Sequence, residues 1–322
     1  MNNSFKIFWS DRYKEERPIP KNSVLALGTF DGIHIAHKKL LSEALDLKNR
    51  IQADFAGAWC FEQSPASVLR GVDIPAITTL YQKISIMLSQ GLDFVAVGDF
   101  KSFSSVTAED FIDNILVDEL GCVATVCGFN HKFGYRGLGN SNLLRSKFSC
   151  ERVIEVDEIT MFGETVSSTS IREKISSGDI EKANAMLGRR FSLSSTVVHG
   201  KRLGREMQFP TANQYYPSEL IVPKHGIYAT VCTLEDGSKY MGVSNVGVRP
   251  TISDDIDTHV ANCETYICDF SGDIYGQKLT IEFCAYLREE KRFSSIDELS
   301  LAISHDKANA IEFFKNTNLN FS

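Results

Sequence analysis

The chain has 322 residues, 43% of them hydrophobic and 23% charged, which suits an ordinary globular protein with room for two domains. Its net charge of −7 argues against general affinity for a nucleic-acid backbone, yet leaves nucleotide binding open, because that needs only a few local donors. No run of about 18 apolar residues occurs, so no membrane span is expected. The N-terminal stretch carries Lys6, Asp11 and Arg12 and lacks an apolar signal core, and the eight cysteines form no CxxC pair. A cytoplasmic protein with buried free thiols is the expectation.

The first half alternates strand-like and helix-like text. Ser23–Phe30 is a short apolar run. His37–Arg50 then places Leu40, Leu41, Ala44, Leu45 and Leu47 at helical spacing. Phe55–Phe61 reads as a strand and Thr79–Gly91 as a helix with a glycine stop. Leu92–Phe100 reads as a strand, Thr107–Gly121 as a helix capped by Thr107, and Cys122–Phe129 as a strand again. Such alternation predicts a parallel sheet with helices on both faces.

The second half has a different texture. A short helix near Asp179–Leu187 is followed by β-rich text separated by Gly, Asp and Pro, with Glu235–Ser238 as a hairpin signal. Regularly spaced short strands suggest an antiparallel barrel or sandwich, closed by a helix over Ser294–Lys315. The boundary is expected after Met186, giving domains 1–186 and 187–322.

Two clusters in the first half carry chemistry. Gly28–Lys39, GTFDGIHIAHKK, lies where a strand gives way to a helix, the usual place for ligands in open α/β sheets. A helix N-terminus there favours phosphate. His34 and His37 are three residues apart, so one helical turn puts both imidazoles on one face. They are either donors to a phosphate gaining charge in a transition state or a surface pair without a role. Ser167–Glu173, SSTSIRE, offers Ser168 or Thr169 as helix cap, with the hydroxyls and Arg172 facing whatever the helix N-terminus binds. The alternative is a plain capping box closed by Glu173.

In the second half, His199–Gln214 reads HGKRLGREMQFPTANQ. Gly200 and Gly204 make a turn bearing Lys201, Arg202 and Arg205, whose amides and cations suit phosphates, although the Walker A pattern is absent. Thr211 and Asn213 then offer hard oxygens that suit Mg²⁺. Glu264 stands in a strand among apolar neighbours, where a carboxylate is paired, solvent-facing or a base for a hydroxyl that attacks phosphate.

Together His34/His37 and Ser168/Thr169/Arg172 resemble the HxGH and ISSTxxR marks of the nucleotidylyltransferase superfamily. The flanking text narrows the resemblance to the bacterial bifunctional riboflavin kinase/FAD synthetase family. Gly28, Phe30, Asp31, Gly32, His34 and His37 match its GxFDGxHxGH opening. Phe61, Glu62 and Pro65 echo its FEPHP-like segment, Ile77–Lys83 its LTTxxEK-like segment, and Gly128, Asn130, Phe133 and Gly134 its G-x-[DN]-F-x-F-G loop. The second half follows the riboflavin kinase order G-x-x-L-G-R, F-P-T-A-N, N-x-G-x-R-P-T, E before DF, YG and R-x-E-x-x-F. The chain departs from the family pattern at Ala36, Ser64, His131 and Gln208.

The resemblance implies a Rossmann-like nucleotidylyltransferase domain followed by a six-stranded antiparallel barrel. It implies phosphorylation of riboflavin to FMN by ATP, then adenylylation of FMN to FAD. In that reading His34 and His37 stabilise the α-phosphate of ATP under attack. Gly28, Phe30, Asp31, Asn130, Ser168, Thr169, Arg172, Gly200, Lys201, Gly204 and Arg205 bind ATP or its phosphates. Thr211 and Asn213 hold Mg²⁺, Glu264 is the base, and Asn245 and Arg288 contact flavin. Partners are small-molecule substrates, with no nucleic acid or membrane, and the oligomeric state is open. A chain with one live activity, or a flavin-binding regulator without turnover, are the alternatives.

Overall fold

The computed structural model describes residues 5–13, 18–199, 211–250, 259–291 and 293–317. The turn with Gly200, Lys201, Gly204 and Arg205, and Gln208 beyond it, lies outside the described residues. The chain divides into two compact units, Met1–Ser170 and Ile171–Ser322.

In the first unit, six strands form one sheet in the order β1-β4-β3-β2-β5-β6. They are β1 (Phe5–Trp9), β2 (Ser23–Leu27), β3 (Phe55–Phe61), β4 (Phe94–Gly98), β5 (Cys122–Gly128) and β6 (Val153–Val156). β2 to β6 run parallel, as the strand–helix alternation predicts, and β1 is added antiparallel to β4 at the edge. Every residue of β2 and β4 is buried, the signature of strands covered on both faces. Helices α1 (Ile35–Ile51), α2 (Pro65–Arg70), α3 (Leu80–Ser89), α4 (Phe100–Phe103), α5 (Ala108–Asp110) and α6 (Ser141–Phe148) fill the connections. Two apolar clusters result, one containing Leu40, Leu41, Ala44 and Met87 from α1 and α3, the other Phe103, Ile112 and Leu144.

Two features differ from the expectation. Phe5–Trp9 gives little sequence signal, yet it forms β1. It is clipped in place by the buried Asp93 carboxylate, which pairs with Arg12 and accepts from Tyr13 Oη at 3.1 Å, Lys48 Nζ at 2.9 Å and Ala56 N at 2.8 Å. The helix expected over Thr107–Gly121 starts on its Thr107 cap but widens to a π-helix over Phe111–Glu119. Its buried residues Phe111, Ile112, Ile115 and Leu116 keep a spacing that an α-helix also uses, so the sequence did not reveal the wider turn.

A small hairpin, β7 (Thr160–Met161) with β8 (Glu164–Thr165), precedes α7 (Ser168–Ser177), along which the chain passes from one unit to the next. The second unit continues with α8 (Ile180–Leu187). Its strands are β9 (Phe191–Thr196), β10 (Thr211–Tyr215), β11 (Gly226–Thr233), β12 (Lys239–Pro250), β13 (His259–Ile267) and β14 (Lys278–Arg288). All pair antiparallel, in the order β10-β13-β12-β11-β14-β9. The sheet rolls far enough for its first and last strands to meet. Val198 N donates to Asn213 O at 2.8 Å and Gln214 Nε2 to Ser195 O at 2.8 Å, closing the six-stranded barrel.

Helix α9 (Ile296–Asn316) covers the outer face of β11, β12 and β14. There Ala310 and Phe314 pack on Ile227, Ala229, Val231 and Val243. On the other face of the sheet, Thr230, Ser244 and Thr265 chain their hydroxyls at 2.9 and 2.8 Å, so these buried polar groups are mutually satisfied. α8 is tied to the barrel through Asn184, whose amide donates to Phe283 O at 2.8 Å and accepts from Phe191 N at 2.7 Å.

Candidate active sites

In the first unit the chain runs β2, β3, β4 outward on one side of β2, then returns to place β5 and β6 on the other. The carboxyl ends of β2 and β5 are therefore the switch point where open parallel sheets leave a crevice. Leu27 and Cys127 are paired there. Gly28 follows one strand and Gly128 ends the other, so both candidate loops of this half emerge side by side.

The loop after β2 holds three residues in the left-handed region: Phe30 at φ 52°, Gly32 at φ 79° and Ile33 at φ 41°. For a non-glycine residue this conformation costs about 1–2 kcal/mol. Both non-glycine side chains are fully buried in the cluster around α1, worth about 1.5–3 kcal/mol each, which offsets the strain. Gly32 has no such compensation available, since an added Cβ would sit 3.1 Å from Ile77. Phe30 thus supports the loop from beneath. Asp31 organises it: Oδ1 accepts from Ile77 N at 2.9 Å and Thr78 N at 3.4 Å, while Thr78 Oγ1 accepts from Gly32 N at 3.3 Å.

The loop delivers His34 as the N-cap of α1. Its Nδ1 accepts from His37 N at 3.3 Å. That acceptor role assigns the ring proton to Nε2. The two imidazoles stack with centroids 3.6 Å apart and planes 16° apart. Burial, His34 and Lys83 all push the His37 pKa well below its usual value, so His37 is neutral near pH 7. Its Nδ1 is buried with no hydrogen-bond partner. Ala36 lies inside α1 with ordinary helical backbone, a conformation any residue adopts.

The second cluster of this half reaches the same loop. Ser168 Oγ donates to Asp31 O at 2.9 Å, joining residues 137 positions apart. Ser167, rather than Ser168 or Thr169, caps α7. Its Oγ accepts from Ser170 N at 3.2 Å, and Ser170 Oγ in return accepts from Ser167 N at 3.1 Å, so the box closes on Ser170 and not on Glu173. With the cap supplied one residue earlier, Ser168 is released to bind Asp31. Thr169 and Arg172 follow on the same helix. Asn130 is exposed in the turn after β5, next to Gly128. His131 stacks on Phe133 with centroids 5.7 Å apart, and burial lowers its pKa to about 4.

In the second unit the site is written in strand register. Asn213 on β10 pairs with Glu264 on β13, and Glu264 pairs with Asn245 on β12. Residues directly opposite share a face with Cβ atoms about 4.5–5.5 Å apart, so the carboxylate stands between two amides. Thr211 lies two residues before Asn213 and so on the same face. Asn213 Oδ1 and Asn245 Oδ1 are both buried without a hydrogen-bond partner. Two orphaned hard oxygens flanking a carboxylate form a donor set suited to a hard cation or to hydroxyl donors.

Some residues were not marked by the sequence reading. Asn262 Nδ2 donates to Glu264 Oε1 at 3.3 Å and is almost fully buried; the two-residue spacing on one strand was the available signal. Glu290 places its carboxylate over Gly247, where a Cβ would meet it at 2.6 Å. Arg288, expected to contact flavin, forks onto Asp306 of α9, with Nε to Oδ1 at 2.8 Å and Nη2 to Oδ2 at 2.6 Å. Asp306 sits in helix text without a motif, so no sequence pattern pointed to it. Among the described residues no cluster of three or more His, Cys, Asp or Glu suited to a metal occurs, and no helix is long and apolar enough to cross a membrane.

Comparison with known proteins assigns both halves. Residues 16–170 match the FAD synthetase family model and residues 187–314 the riboflavin kinase family model. The bifunctional riboflavin kinase/FMN adenylyltransferase of Buchnera aphidicola subsp. Acyrthosiphon pisum is 34% identical, covering 90% of this chain and 93% of that protein. The protein of the same description from Listeria monocytogenes is 32% identical over 91% and 93%. The crystal structure of a protein described as a macrolide-efflux protein from Streptococcus pneumoniae superposes with a TM-score of 0.81 at 26% identity, covering 92% of this chain and 95% of that one. With both halves matched in this order and sequence identity sustained along nine-tenths of its length, the chain belongs to the bifunctional riboflavin kinase/FMN adenylyltransferase family.

Proposed function

We propose that this protein makes FAD from riboflavin in two ATP-dependent steps, phosphorylation to FMN in domain 187–322 and adenylylation of FMN in domain 1–186. What supports the reading is that one chain carries stacked imidazoles at a helix N-terminus in its first unit and the Asn213–Glu264–Asn245 row in its second.

In the kinase step, Glu264 accepts the proton of the terminal ribityl hydroxyl as that oxygen attacks the γ-phosphorus of ATP, and ADP leaves. Asn262 holds the carboxylate oriented through Oε1. Thr211 and the orphaned Asn213 Oδ1 would hold Mg²⁺, which screens phosphate charge when bound. The basic turn with Gly200, Lys201, Gly204 and Arg205 would grip the nucleotide phosphates. Asn245 would meet the flavin or its hydroxyl through its unpartnered oxygen.

In the transfer step, a phosphate oxygen of FMN attacks the α-phosphorus of ATP and pyrophosphate leaves. The Nε2–H of His34 and a ring nitrogen of His37 would donate to the charge that develops on the α-phosphate, and the α1 N-terminus would add its dipole. Neutral imidazoles at 3.6 Å avoid the repulsion two imidazolium rings would suffer. Ser168, Thr169 and Arg172 would hold the departing pyrophosphate, and Asn130 would help place phosphate or flavin. Gly28 lets the Phe30 ring pack directly against the loop backbone, where a Cβ would meet the ring at 3.1 Å. We place the enzyme in the cytoplasm, a reading its eight free thiols support.

The deciding experiment is product analysis after incubation with riboflavin, ATP and Mg²⁺. FAD is the expected product, with FMN appearing first. FMN alone or unchanged riboflavin would overturn the two-step reading in favour of a single activity or a binder.

A further inference from the structure

We propose that Lys83 is a positioning residue for adenylyl transfer, fastening the carboxyl ends of β2 and β3 under the His34 loop and fixing a positive charge beside His37. The inference rests on the adenylyltransferase reading above.

Lys83 is only 6% exposed and belongs to the inward face of α3 with Ile84 and Met87. Its ammonium donates to Phe61 O at 2.8 Å and to Thr29 O at 3.4 Å. Phe61 ends β3, and Thr29 immediately precedes Phe30, the first of the three left-handed loop residues. One side chain thus ties the ends of two neighbouring parallel strands at the edge from which His34 is presented.

The same group is a charge without a carboxylate partner among the described residues. A buried ammonium is costly unless its charge is compensated, and two carbonyl dipoles do this only in part. A polyphosphate entering the switch-point crevice supplies the remainder, so the site is electrostatically completed by its substrate. The charged and titratable groups that act on His37 are His34, from its own cap, and Lys83, from α3; both lower its pKa alongside burial. Lys83 therefore helps keep His37 neutral as pH falls.

The test uses the full chain, with FMN adenylylation and riboflavin phosphorylation assayed separately. Lys83→Met retains the apolar stem and removes the charge and both hydrogen bonds. Expected are a fall of about tenfold or more in kcat for adenylylation with little change in KM for FMN, and riboflavin phosphorylation at the wild-type rate. The acid limb of kcat against pH should move to higher pH, and NMR titration should show the His37 imidazole protonating at higher pH. Lys83→Arg should leave that limb in place. A Lys83→Met protein with wild-type kcat, or one with reduced kcat but an unmoved limb and an unmoved His37 titration, overturns the proposal. Should the methionine variant fail to fold, a Lys83→Arg protein whose acid limb is displaced overturns it equally, and an undisplaced limb supports it. Wild-type protein unable to adenylylate FMN would overturn the underlying reading, a result distinct from any Lys83 outcome.

Discussion

In the N-terminal unit, His34 and His37 are aimed by a loop whose backbone holds three left-handed residues and borrows bonds from Ile77, Thr78 and Ser168. In the C-terminal unit, Glu264 is aimed by strand register, with Asn213 and Asn245 directly opposite on its two neighbours. The difference follows from sheet type. Parallel strands are buried on both faces, so their reactive groups must come from the loops beyond the strand ends, and distant segments are needed to hold those loops. An antiparallel barrel offers an outer face, where the period of two places side chains without further support. The first site should therefore be sensitive to remote ties, and the second to the few side chains in the row.

The largest effect expected is from Glu264→Gln. Riboflavin phosphorylation should fall by about 10²–10⁴-fold through loss of the base, while flavin binding and FMN adenylylation persist. Measured by separate assays of the two steps, equal loss of both would break the independence of the centres. His37→Ala should lower adenylylation by about 10²–10³-fold through loss of a charge-stabilising donor, with phosphorylation unchanged.

Stability against pH tests the loop chemistry. The His131 pKa is lowered from the usual 6.5 to about 4, so the unfolded chain binds the proton first as pH falls. The contribution is complete above pH 6.5, declines between 6.5 and 4 and is exhausted below, amounting to at most about 3 kcal/mol. His131→Phe should flatten that part of the thermal midpoint against pH curve, read by calorimetry. Ser168→Ala is the smallest change. Loss of its bond to Asp31 O should cost about 1 kcal/mol, and adenylylation should fall a few-fold while phosphorylation does not. A neutral result would show that the loop is held well enough by Ile77 and Thr78.

Much of this was legible before the fold. Apolar spacing located β3, α1 and α3, Thr107 announced a helix start, and the hairpin over Glu235–Ser238 joins β11 to β12 as its turn text implied. The motif residues His34, His37, Thr211, Asn213 and Glu264 also stood out, because reactive side chains at fixed spacings leave a mark in the chain. β1 left no mark, since its pairing partner β4 is some 90 residues away. Ser167 as the cap of α7, and the diversion of Ser168 to Asp31, could not be separated from the alternatives in a run of four hydroxyl residues.

The sequence by itself determined the chemistry available and the order of the two domains, because side-chain identity, local periodicity and turn residues act over a few positions. Only the tertiary structure decided how that chemistry is tuned. The neutrality of His37 follows from its burial, with His34 and a lysine brought from α3 adding to it; the setting of Glu264 depends on amides from two other strands, and the pairing of Arg288 on Asp306 from α9. Charge and hydrogen bonding act through space over a few ångströms, and folding alone brings residues tens to hundreds of positions apart within that reach.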